Sequence, residues 1–165
     1  MQDPTVQAPT VTTPAPRIIA FDHATIVAAD LDRTRAFYVG LLGMAELPRP
    51  AFSFGGLWLG AAGDRRPTVH VIEAHGPGTP GPPGPPPGSG PPGFAFAGDP
   101  DAAPSTRGPH FALRCGDPRA FVPALRAAGV RFVSEAKTRP DGAVQVFVRD
   151  PDGHVVEICS APPGF

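Results

Sequence analysis

Residues 21–44 read FDHATIVAADLDRTRAFYVGLLGM, a strand running into a helix. The run 18–28 is apolar and β-prone, broken only by Asp22–His23. Asp30 stands where a helix N-cap is expected. Leu31, Phe37 and Leu41/Leu42 lie near helical spacing and predict a helix over 31–42. Gly43 is placed to stop it as a left-handed terminal glycine does. Three short strands are expected next, at 44–47, 52–60 and 68–73, with Gly63–Asp64 turning into the last.

The same order of signals returns downstream. Residues 110–115 read as a strand, and Asp117–Pro118 is a cap followed by proline at the first helical position. The helix is expected to run to Ala128 and stop at Gly129, with strands at 131–135, 143–149 and 154–159. Pro140–Asp141–Gly142 and Asp150–Pro151–Asp152–Gly153 supply the turns. His23 precedes Asp30 by seven residues, and His110 precedes Asp117 by seven. The pattern is an internal duplication. It predicts an α+β fold of two βαβββ modules, 18–75 and 109–160, within one domain spanning 18–160.

Composition separates the modules from the rest. The chain has 165 residues, 25 of them Pro and 20 Gly, and 20 of these 45 fall within the 33 positions of 76–108. That segment is expected to be an extended connector, including the short GPPGPPPG run at 81–88. Residues 1–17, rich in Pro, Thr and Gln, read as a disordered tail. A net charge of −1 without a basic cluster argues against nucleic acid as a partner. No apolar run is long enough to span a membrane, and the N-terminus has neither a basic start nor an apolar h-region, so a cytoplasmic protein is expected. Cys115 and Cys159 lack any Cys-x-x-Cys spacing and form no zinc motif.

Polar residues inside apolar strands are the informative ones. His23, His70, His110 and Glu157 each interrupt such a run. His23 and His70 are 47 residues apart, as are His110 and Glu157. Each module thus offers one metal-ligand type on its first strand and one on its last. Two modules about a pseudo-twofold axis would bring three imidazoles and a carboxylate to one point, a donor set suited to a divalent first-row metal. Other polar residues are expected to do less. Glu73, His75 and His154 read as surface, Arg114 and Cys159 as candidates for lining a pocket, Cys115 as core, and Phe37 and Tyr38 as packing. Phe52, Phe54, Trp58 and Phe147 are candidate pocket walls.

The sequence resembles the vicinal oxygen chelate superfamily, which includes glyoxalase I, extradiol dioxygenases, methylmalonyl-CoA epimerase and fosfomycin- and bleomycin-resistance proteins. The resemblance is carried by residues 21–44, by GPHFALRC at 108–115 and by VFVRDPDGHVVEIC at 146–159. It implies two βαβββ modules forming an incomplete barrel around a metal-binding cup, with ligands matching His23, His70, His110 and Glu157. The position of His70 varies in the family among Glu, Gln and His, and dioxygenase-like members use three ligands only. Two departures count against glyoxalase I proper. Val27 stands where the compact bacterial enzymes carry an arginine, and His70 stands where they carry a glutamate.

The resemblance implies a divalent-metal-dependent enzyme, a glyoxalase-like lyase or isomerase or a dioxygenase, acting on a small oxygen-chelating substrate. The metal would be Fe, Mn, Ni, Co or Zn, and Glu157 is the ligand able to double as a proton acceptor. The alternative is a resistance or binding protein that sequesters a small molecule without turnover. Family members build the cup within one chain or across two. Exposed sheet edges and the frequency of twofold assembly favour a homodimer.

Overall fold

The computed structural model describes residues 17–74 and 105–164. The expected tail, apart from Arg17, and all but the last four residues of the expected connector lie outside the described residues, as does His75.

Both modules form as the sequence predicts. In the first, strand β1 (Ala24–Ala28) leads into helix α1 (Leu31–Arg35), followed by strands β2 (Ala45–Leu47), β3 (Gly56–Gly60) and β4 (Val69–Glu73). Asp30 caps α1, its Oδ1 accepting from the amides of Asp32 at 2.9 Å and Arg33 at 3.0 Å. The chain does not continue as a regular α-helix to residue 42. It widens into a π-helical stretch over Ala36–Leu41, where the Leu42 amide donates to the Phe37 carbonyl at 3.0 Å. The wider turn lets two consecutive aromatic residues, Phe37 and Tyr38, both be buried. Gly43, at φ +72°, ends the element as expected.

The second module repeats the plan with strand β5 (Phe111–Arg114), a 3-10 turn (Pro118–Phe121), helix α2 (Val122–Ala127) and strands β6 (Phe132–Thr138), β7 (Val144–Arg149) and β8 (Val155–Cys159). Asp117 caps it by accepting from the Arg119 amide at 2.9 Å. Gly129, at φ +70°, stops it.

Each module is a mixed four-stranded sheet of the same topology, in the orders β1-β4-β3-β2 and β5-β8-β7-β6. First and last strands pair in parallel, and the remaining pairs are antiparallel. A parallel β1–β4 pair requires a crossover, which the helix and the hairpin strands provide. The register is equivalent too. Thr25 faces His70, and Ala112 faces Glu157.

One continuous core joins the modules, including Ile26, Tyr38, Leu59 and Val71 from the first and Leu125, Val146, Val156 and Ile158 from the second. Polar contacts reinforce it where the Asp150–Gly153 turn docks on the first module. Asp152 accepts from the Ala29 amide at 3.0 Å and from the Thr34 hydroxyl at 3.3 Å, while Arg33 donates to the Pro151 carbonyl at 2.8 Å. At the centre lies Asp150. Its Oδ2 accepts from the Tyr38 hydroxyl at 2.9 Å and pairs with His154 Nδ1 at 2.9 Å. Its Oδ1 accepts from the amides of Asp152 at 3.0 Å and His154 at 2.8 Å. Burial, with Asp150 beside it, holds the Tyr38 phenol well above the ordinary tyrosine range.

Candidate functional site

His23 immediately precedes β1, two residues before Thr25, and so shares the sheet face of Thr25 and its β4 partner His70. The two rings stack at 3.7 Å between centroids and 21° between planes. On its other side His70 meets Trp58, its cross-strand partner on β3, at 4.7 Å and 12°. His23 is oriented by Asp22, whose Oδ2 lies 2.8 Å from Nδ1. A carboxylate there accepts from Nδ1–H, so in the neutral ring Nε2 keeps its lone pair. The bond to His23, together with the Arg66 guanidinium beside it, lowers the Asp22 carboxyl below the usual aspartate range. His70 is held by stacking. Burial, then the neighbouring His23 and Arg49, lowers its tendency to protonate and favours the neutral, ligand-competent imidazole.

The second module places its pair in the same frame. His110 immediately precedes β5, two residues before Ala112, and so faces Glu157 on β8. Its Nδ1 lies 2.8 Å from the Gly108 carbonyl. A carbonyl can only accept, so Nδ1 carries the proton and Nε2 of the neutral ring is an acceptor. That Nε2 lies 3.3 Å from Glu157 Oε2. Glu157 is buried, at 7 % exposure, and its Oε1 has no hydrogen-bond partner. Phe147, opposite Glu157 on β7, packs edge-on against His110 at 5.3 Å.

The four residues singled out by their spacing thus come together as two pairs, each inside one module. Among the described residues, no three His, Cys, Asp or Glu side chains gather where they could hold a metal ion. His154 differs from its expected surface position. It is 5 % exposed because its ring is the inner partner of Asp150 at the seam between the modules. Tyr38, expected only to pack, also hydrogen-bonds there. Glu73 is half-buried rather than free at the surface, and its carboxylate lies against Gly55. Cys115, partly buried, packs on the core as expected. Cys159 is half-buried and Arg114 exposed, and neither borders the cavity beside His70 or the one beside His110. Sequence reasoning missed Arg49. Its guanidinium sits over Phe52 at 4.6 Å and Phe54 at 5.0 Å, beside His70. The available signal was one arginine between Pro48 and Pro50, just ahead of an aromatic pair.

A family model, the Glyoxalase/Bleomycin resistance protein/Dioxygenase superfamily, matches residues 20–158. The chain belongs to this superfamily. Solved structures share the fold at low identity. A lactoylglutathione lyase from Agrobacterium tumefaciens is 17% identical with a TM-score of 0.55, over 96% of this chain and 100% of that one. The fosfomycin resistance protein FosX from Listeria monocytogenes is 16% identical with a TM-score of 0.55, over 88% and 95%. TnmS3, an antibiotic binding protein from Streptomyces sp. CB03234, is 19% identical with a TM-score of 0.57, over 88% and 98%. No curated protein matches the chain. The superfamily therefore contributes the fold and a range of activities, from enzymes to antibiotic-binding proteins.

Superfamily members are often metal-dependent; among the described residues no complete metal site is present, and each pair offers donors that a divalent cation could use. In the second pair, His110 Nε2 and Glu157 Oε2 face each other across 3.3 Å beside an orphaned buried oxygen. Leaving such a group unsatisfied costs about 1–3 kcal/mol, and a cation compensates it. Both His23 and His110 are fixed through Nδ1, the outer-nitrogen hydrogen bond typical of metal-binding histidines.

Proposed function

We propose that the chain is a divalent-metal-dependent enzyme of the superfamily, a lyase, isomerase or dioxygenase. Its substrate would be a small molecule that offers oxygen atoms to a metal held by His23, His70, His110 and Glu157. The carrying observation is the orphaned Glu157 Oε1 beside the lone pair of His110 Nε2. When bound, the metal would be a Lewis acid that stabilises an oxyanion or enolate. The chain's own residues do the remaining work. Asp22 and the Gly108 carbonyl fix the tautomers, Trp58 steadies the His70 ring, and Phe147 borders His110. Glu157 is the only carboxylate of the four and is the group assigned to take a proton from substrate, a role that typically contributes about 10²–10⁴-fold in rate.

Because one chain holds the donors as two separate pairs, we assign the complete site to a homodimer. The His23–His70 pair of one copy would face the His110–Glu157 pair of the other. The test mixes His23→Ala and Glu157→Ala chains under co-refolding and measures bound Ni²⁺ by equilibrium dialysis. Across-chain sites restore one intact site per mixed dimer. Sites within a chain restore none, and a monomer in light scattering removes the dimer altogether. The separation of the pairs also supports a second reading, a protein that sequesters a small molecule without turnover. Wild-type protein that takes up none of Ni²⁺, Mn²⁺, Zn²⁺ or Fe²⁺ would establish that reading and end the first.

A further inference from the structure

We propose that the cavity beside His70 binds a planar aromatic acid of one or two rings, whose carboxylate is taken by Arg49. The inference deepens the reading above, since the same cavity holds His23 and His70. It measures about 230 Å³ and is bordered by His23, Arg49, Phe52, Phe54, Trp58 and His70. Sites for drug-sized ligands measure about 300–1,000 Å³, so this one suits a smaller molecule.

Three observations give the ligand its chemistry. The walls form a run of aromatic rings. His23, His70 and Trp58 lie nearly parallel, and Phe52 continues the run from Trp58 at 6.3 Å, with Phe54 stacked on it at 5.2 Å. Phe52 and Phe54 are 46% and 41% exposed, apolar surface that a flat ligand would cover. The third is Arg49. Its guanidinium rests on both phenyl faces and donates to the Phe54 carbonyl at 2.9 Å, so its direction is set. Among the described residues it has no carboxylate partner, in contrast to Arg35, Arg66, Arg126 and Arg139. A planar cation held this way is prepared for the oxygens of a carboxylate, with no acidic side chain to displace. An aliphatic acid would match the exposed aromatic surface of Phe52 and Phe54 less well, and a neutral aromatic would leave the guanidinium unpaired. The ring and the charge are therefore required together. Oxygens on the ring edge nearest His23 and His70 would be the ones offered to the metal of the proposed site.

Trp58 is the chain's single tryptophan, so intrinsic fluorescence reads this cavity directly. The experiment titrates the full-length, metal-free protein with benzoate, cyclohexanecarboxylate and benzyl alcohol, following Trp58 emission and heat, and repeats the series with Ni²⁺. Benzoate is expected to change the emission and to bind about tenfold or more tightly than either control. Arg49→Ala should erase the preference over benzyl alcohol. Phe52→Ala with Phe54→Ala should erase the preference over cyclohexanecarboxylate. Phe52 and Phe54 are exposed and Arg49 is half-buried, and circular dichroism verifies that the variants fold. Equal binding of all three probes overturns the proposal. So does emission that ignores benzoate and shifts only with protein concentration, which would mean that a second copy of the chain covers the face. Benzoate bound without any uptake of Ni²⁺ sustains this pocket and sinks the metal reading. Ni²⁺ bound with no response to benzoate does the reverse.

Discussion

The two modules share a backbone plan and differ in what they do with it. Each sets a histidine two residues before the first strand's register position and a second donor opposite that position on the last strand. In the first module the result is open and aromatic, with His70 stacked between His23 and Trp58. In the second it is polar, an exposed His110 beside a buried Glu157 that is short of a partner. The turns before the last strands differ as well. Residues 61–66 are exposed, whereas Asp150 and His154 are buried against the other module. Duplication preserved the frame, and substitution within it separated an aromatic pair from a polar one.

The largest effect is expected at the turn. Asp150→Ala removes the acceptor for the Tyr38 hydroxyl, the His154 ring and two backbone amides, all but one of them within buried residues. Orphaning buried donors in one network should cost about 3–5 kcal/mol. Tyr38→Phe, which removes one donor and leaves the acceptor served by others, should cost about 1 kcal/mol. Urea midpoints decide the matter. Equal losses for the two variants would show that the seam is held by packing rather than by Asp150. No turn variant in residues 61–66 is expected to approach the Asp150 effect.

The next effect has the opposite sign. Glu157 is buried with Oε1 unpartnered and only the exposed His110 ring beside Oε2, so Glu157→Met should raise the stability of metal-free protein by roughly 1–2 kcal/mol. The same substitution should abolish Ni²⁺ uptake. His70→Leu offers no such gain, because it gives up the stack with His23 and Trp58 without removing a buried orphan. Thermal melts with and without Ni²⁺ separate the two pairs. A destabilised Glu157→Met protein would mean that the carboxylate already has a structural partner, such as an ordered water.

Local signals were read well from the sequence, and contacts across the seam were not. Asp30, Asp117, Gly43 and Gly129 fix the helix ends through bonds within a few residues, so their roles follow from residue type and position. The matched spacing of 47 residues located His23, His70, His110 and Glu157 because a repeat fixes register. It did not reveal that one chain keeps them as two pairs, since the spacing describes each module and not how the two pack. His154 was misplaced for a similar reason. Asp-Pro-Asp-Gly is a surface-turn signal, and only its far-off partners Ala29, Arg33, Thr34 and Tyr38 make this turn an interface. Arg49 escaped notice because its partners are ring faces, a contact that leaves no periodic trace.

The smallest effect tests whether the two helix starts are equivalent. Asp30 accepts from two amides, those of Asp32 and Arg33, whereas Asp117 accepts from that of Arg119 alone. Asp30→Ala should therefore lower the Tm by more than Asp117→Ala does. The bond from the Arg33 amide, assisted by that of Asp32, lowers the Asp30 carboxyl below its ordinary 3.8. A lowered value in the folded state means that the ionised form is the one stabilised. Its contribution is complete above 3.8 and is lost as the pH falls through the lowered value. Asp30→Asn keeps an acceptor at the cap and removes the titration. The Tm difference between wild type and Asp30→Asn should be widest near neutrality and close on acidification. A difference that stays constant into acid would show that the amides need only an oxygen there, and that the charge of Asp30 adds nothing.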